Sequence, residues 1–133
     1  MTNNYFCPHC RSNMNIGNSL VFSAKSPQNE RGLIFLDTEL GNYTKRTHAD
    51  FQLREGVEYK FYCPVCHESL VTDEADGLCA IDMQSSGDAH RVFFSPVAGE
   101  KATFVISAEG MRTTYGNDFK KYLREVGWGP RTV

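Results

Sequence analysis

Two short segments, Cys7-Pro8-His9-Cys10 and Cys63-Pro64-Val65-Cys66, use four of the five cysteines in this 133-residue chain. A Cys-x2-Cys turn presents two thiolates from one tight bend, and two such turns facing each other complete a tetrahedral four-sulfur site. Zinc is the usual occupant of that geometry, at about 2.3 Å per Zn–S bond. Four thiolates close the coordination sphere and leave no position for water or substrate, so such a site supports folding rather than catalysis. Iron takes the same ligands in a rubredoxin-like site, and redox use of the thiols is the other alternative. Disulfides are disfavoured by the odd cysteine count, the tight spacing, and an N-terminus, Met1-Thr2-Asn3-Asn4, with neither the basic nor the apolar stretch of an export signal. The expected compartment is therefore the reducing cytoplasm.

Residues 11–62 separate the two hooks, and a structureless loop of that length is improbable inside a compact domain. Strands fill it. Leu20, Phe22 and Ala24 alternate along Leu20–Lys25, while Leu33-Ile34-Phe35-Leu36 is apolar at every position, as a central strand buried on both faces would be. Val57, Tyr59 and Phe61 alternate with Glu58 and Lys60 and run straight into Cys63, whose parity places it on the apolar face. Leu78–Gln84, His90–Ser95, Lys101–Ser107 and Met111–Tyr115 are further strands divided by turn signals, and the last two form a hairpin around Gly110. One helix is predicted, capped by Asn117, striped by Phe119, Tyr122, Leu123 and Val126, and stopped at Gly127. The fold class is mainly β, with the hooks in residues 1–75, a meander plus C-terminal helix in 76–133, and the two packed as one unit. The two hooks are the only repeat visible in the sequence.

Paired Cys-Pro-X-Cys knuckles resemble those of zinc-ribbon proteins, in which two knuckles on β-hairpins grip one zinc. The resemblance implies that Cys7, Cys10, Cys63 and Cys66 are ligands of one Zn2+ per chain, and it covers little beyond the hooks and their leading strands. Many such knuckles carry glycine after the second cysteine; here Arg11 and His67 stand there. His9 and His67 read as exposed turn residues that help neutralise a site of formal charge −2 rather than as ligands. A strong chelator or a lost cysteine is expected to loosen residues 7–66 more than residues 78–126.

Other constellations are weaker. Cys79 shares strand parity with Ile81 and Met83 and reads as a buried small hydrophobe, with nothing to pair it with His90 as a nucleophile. No phosphate-loop, HExxH or GxSxG pattern occurs, so the chain reads as non-catalytic. Asp73, Glu74 and Asp76 lack the spacing of a calcium loop. Residues 67–100 hold seven acids against Arg91 alone, and residues 101–133 hold six bases against three acids. Lys45, Arg46, Lys120, Lys121, Arg124 and Arg131 could contact phosphates, but the net charge of −2 is wrong for a dedicated nucleic-acid binder. A protein-interaction or adaptor module is the first expectation, and a nucleic-acid-associated zinc ribbon the second. No apolar run reaches the roughly 18 to 20 residues of a membrane helix, so no membrane partner is expected.

Overall fold

The computed structural model describes residues 3–74, 77–85 and 87–118. Among these residues ten strands make two antiparallel sheets: β1 Asn4–Phe6, β2 Asn15–Ile16, β3 Ser19–Lys25, β4 Arg31–Asp37, β5 Lys45–Thr47, β6 Lys60–Tyr62, β7 Cys79–Ser85, β8 Asp88–Phe94, β9 Thr103–Ser107 and β10 Arg112–Tyr115. The first sheet runs β1-β7-β8-β9-β10. In the second, β3 pairs with β4, and β4 with β5, while β2 and β6 share the other flank of β3. The mainly β expectation holds. Among the described residues there is no helix, and the helix predicted from Asn117 to Gly127 falls almost wholly outside them.

Alternation along the long strands decides what is buried. Leu20, Phe22 and Ala24 of β3, Ile34 of β4, Ile81 and Met83 of β7, Val92 of β8 and Val105 of β9 point inward and form one core between the sheets. Phe22 is fully buried; it stacks on Phe94 at 5.0 Å between ring centroids and meets the edge of Phe61 at 5.4 Å. Gly32 leaves room for the Phe51 ring, which a Cβ would meet at 2.3 Å. A second apolar cluster of Leu78, Ala80, Phe93, Ala102 and Phe104 is also buried. Its strand members have the opposite parity, so it belongs to the outward side of the first sheet.

Two strand expectations need correction. β4 is not buried on both faces: Leu33 is 46% exposed and Phe35 half-buried, because the ladder with β3 turns both away from the core while Ile34 faces it. The strand into the second hook is only Lys60–Tyr62, since Tyr59 instead donates its N–H to the Pro96 carbonyl at 3.0 Å and Glu58 bridges Val97. The β9–β10 hairpin forms as expected, with Gly110 at φ 86° in its turn.

The pairing pattern repeats across the chain. β1 leads into the first hook but pairs with β7, Asn4 opposite Gln84 and Phe6 opposite Asp82. β6 leads into the second hook but pairs with β3, Lys60 opposite Lys25 and Tyr62 opposite Ser23. With β1–β5 and β6–β10 taken as the two halves, each thus lends the strand before its hook to the other half's sheet. The register continues in step: Phe22 opposite Ile34 and Ile34 opposite Thr47 correspond to Ile81 opposite Val92 and Val92 opposite Val105. β10 extends the first sheet beyond β9, whereas among the described residues the matching strand of the second, β5, pairs with β4 alone and bears Lys45 and Arg46 on its two faces.

Candidate metal centre

The hooks are built alike, atom for atom in their backbones. In the first, the N–H groups of His9 and Cys10 point at the Cys7 sulfur at 3.3 and 3.5 Å, and Arg11 N–H donates to the Cys7 carbonyl at 2.9 Å. In the second, the N–H groups of Val65 and Cys66 approach the Cys63 sulfur at 3.3 and 3.4 Å, and His67 N–H donates to the Cys63 carbonyl at 3.0 Å. The chain then turns back in both, with Cys7 N–H on Ser12 and Cys63 N–H on Glu68, each at 3.0 Å. Met14 and Leu70, both in the core, follow at matching positions and close each knuckle onto the strand before it.

Closing such a turn requires a left-handed residue after the second cysteine. Arg11 and His67 both supply it, each with φ 65°. This explains how the hooks keep their geometry without the usual glycine, at a cost of about 1–2 kcal/mol each for a residue with a Cβ. His67→Gly is therefore expected to stabilise the metal-loaded protein by about 1 kcal/mol, after allowing for the greater unfolded-chain freedom of glycine. Thermal unfolding checks this, and a lower midpoint would show that the His67 ring holds the knuckle. Arg11 is less suited to the test, because its guanidinium pairs with Asp82.

The exchange of β1 and β6 brings the hooks face to face. All four sulfurs lie within 4.8 Å of one another. Cys7 and Cys66 are 3.7 Å apart and Cys10 and Cys63 3.8 Å apart. A tetrahedron with metal–sulfur bonds of about 2.3 Å has edges of about 3.8 Å, which these two pairs match, so the cluster could hold a metal ion. Cys7 and Cys63 are fully buried beneath the site. In the thiols alone, burial pushes Cys7 up to about 12, against the pull of the Cys10 and His9 N–H groups. Hydrogen bonds from the Ser12 hydroxyl and N–H draw Cys10 down to about 6. A divalent cation at the centre favours the thiolate at every position and overrides this asymmetry.

The surroundings tie the hooks to the sheets. His9 stands outside the sulfur cluster and its Nε2–H donates to the Ser69 carbonyl at 3.0 Å, joining one hook to the exit of the other. Arg91 reaches Asp82 at 2.7 Å and also pairs with Glu74, so Arg11, Asp82, Arg91 and Glu74 form one chain of charges from the first hook across the first sheet. Sequence reasoning missed this network, since the acid-rich run it singled out gave no sign of register with β8.

Cys79 is in the core at 3% exposure, with its thiol pushed up to about 12 by burial and then by the Glu58 carboxylate. It lies opposite Phe94, whereas His90 lies opposite Met83, so the ladder holds the two apart. Lys45 and Arg46 both sit on β5 but point to opposite faces, Lys45 beside Leu36 and Arg46 beside Phe35. Lys120, Lys121, Arg124 and Arg131 fall outside the described residues. No family model, curated protein or solved structure matches the chain.

Proposed function

We propose that the chain is a non-catalytic binding module, cytoplasmic, in which one structural zinc held by Cys7, Cys10, Cys63 and Cys66 fastens two sheets together. The observation that carries this reading is the gathering of the four sulfurs within 4.8 Å of one another, two pairs of them already at 3.7 and 3.8 Å, at the point where the halves exchange strands. All four positions of such an ion are filled by protein, so its role is to join rather than to react. Protein purified without chelator is expected to contain one zinc per chain and to be colourless. A red protein with one iron would favour the rubredoxin-like reading. Metal-free protein with reversible disulfides within the hooks would favour the redox reading.

A binding module needs a partner surface away from the metal. Between protein and nucleic acid as partner, a specific observation favours nucleic acid: the outward face of the second sheet is basic and carries two half-buried aromatic rings, Phe35 and Tyr62.

A further inference from the structure

Partners across an antiparallel ladder share a face, so the register identifies every residue that the second sheet turns away from the core. Lys25 lies opposite Arg31 on one side and opposite Lys60 on the other, three bases in a row across β4, β3 and β6. Like charges directly opposite one another destabilise a sheet, and here the repulsion is counted twice. The next row is Tyr62, Ser23 and Leu33; the one beyond holds Val21, Phe35 and Arg46. Asp37, opposite Ser19, is the acid that this register turns outward, at the far corner. No salt bridge to a described residue neutralises Lys25, Arg31, Lys60 or Arg46.

The fold does not require these bases. The equivalent positions of the first sheet, by the same register, are Asn4 for Lys60, Gln84 for Lys25 and Ala89 for Arg31. There the register turns Arg91 and Arg112 outward, and Arg91 is answered by Asp82 and Glu74. Two halves with one pairing pattern thus differ: one outward face meets Arg91 with two carboxylates beside an apolar cluster, and the other is a basic frame around two rings.

We infer that the outward face of the second sheet binds single-stranded nucleic acid, with Lys25, Arg31, Lys60 and Arg46 on phosphates and Tyr62 and Phe35 stacking on bases. The dimensions suit it. Strands about 4.8 Å apart place Tyr62 and the β4 row about 10 Å from each other, and Leu33 to Phe35 spans about 7 Å, a platform for two successive bases. Tyr62 and Phe35, half-buried around the buried Val21, remain partly exposed and offer stacking to any base, while phosphate contacts at the rim give affinity without sequence preference. A double helix would present no exposed base faces to the two rings. This inference rests on the binding-module reading above and names its partner.

The test uses the full chain loaded with zinc and a labelled oligothymidylate of about 12 nucleotides, read by fluorescence anisotropy, with oligouridylate as the ribose counterpart. Four phosphate contacts on a single strand predict an affinity that falls about 50-fold between about 50 and 200 mM salt. Arg46→Glu is expected to weaken binding at least about tenfold, and Tyr62→Ala about tenfold through lost stacking. Lys45→Glu, the same charge change one residue away on the inward side, should leave affinity within about twofold, because its side chain is off the face. Equal losses for Arg46→Glu and Lys45→Glu would overturn the inference, since they would mean diffuse attraction with no docking face. Competition by polyglutamate as effective as by oligothymidylate, with Tyr62→Ala unchanged, would also overturn it and point to an acidic protein. Absence of binding at about 50 mM salt, by protein with full zinc content and a normal melting curve, would defeat this partner while leaving the zinc module standing.

Discussion

Cys63→Ser is expected to lower the thermal midpoint by about 15 °C or more and to strip hydrogen-exchange protection from both strands that lead into the hooks. Structural zinc sites in small domains are worth about 10–16 kcal/mol of apparent binding energy at neutral pH, as much as the whole stability of a typical domain. Cys63 is fully buried, so a serine there leaves a hydroxyl that is a poor metal ligand and a polar atom without its partner ion. A loss of several kcal/mol, at a few degrees each for a chain of this size, gives the expected shift. The sequence points to residues 7–66 as the region that loosens. Strand exchange changes that map. β1 and β6 have three residues each, too few to hold their places without the hooks they enter. Protection should therefore fall at Asn4–Phe6 and its partners Asp82–Gln84 in the first sheet, and at Lys60–Tyr62 and its partners Ser23–Lys25 in the second. The β8–β9 ladder should outlast both. Hydrogen exchange with mass spectrometry resolves these segments, and equal protection in Cys63→Ser and the parent protein would show that the metal plays no structural part.

What could be read from the sequence was what local chemistry decides. The four cysteines announce themselves by spacing, and the long strands by alternation: Leu20–Lys25 is β3 to within a residue, and the four strands expected after residue 77 are β7 to β10 with small shifts. The left-handed turns at Arg11 and His67 were marked by position in the hook, although neither residue type favours that conformation. The exchanged strands carry no such mark. Three residues of alternation are too few to register, and which sheet they join depends on where the other hook stands. The repeat between halves was hidden for a related reason. Equivalent positions share polarity and depth rather than identity: Tyr5 and Phe61, Met14 and Leu70, Phe22 and Ile81, Ile34 and Val92 are all buried. A core asks for volume and hydrophobicity, which several residue types supply, whereas a metal asks for sulfur, which only cysteine supplies here. The hooks alone therefore remained recognisable as a pair.

That asymmetry bears on the fifth cysteine, which sits where the core, and not the metal, sets the terms. At pH 8 Cys79 is expected to be alkylated by iodoacetamide about 1,000-fold more slowly than an unhindered thiol, even before access to the core is counted. The thiolate is the nucleophile, and burial with the Glu58 carboxylate raises the Cys79 thiol from 9.0 to about 12. A raised value leaves less thiolate at a given pH, so three units remove about three powers of ten. The same shift has a stability consequence of definite sign. Below about pH 9 the thiol is protonated in both folded and unfolded chains and changes nothing. Above it the unfolded chain ionises and the folded one does not, so stability falls with rising pH up to about 12. Tyr5, held up to about 12 by its own burial, adds to that alkaline loss, and Cys79→Ala isolates the cysteine's share. Mass spectrometry of the zinc-loaded chain should show Cys79 unmodified after free thiols have reacted to completion, and the Cys79→Ala protein should lose less stability than its parent between about pH 9 and 11. Labelling of Cys79 ahead of metal release, with the sheets still protected from exchange, would mean that the core opens at this edge or that the thiol is activated. Either result would give Cys79 a role beyond filling space beside Ile81 and Met83.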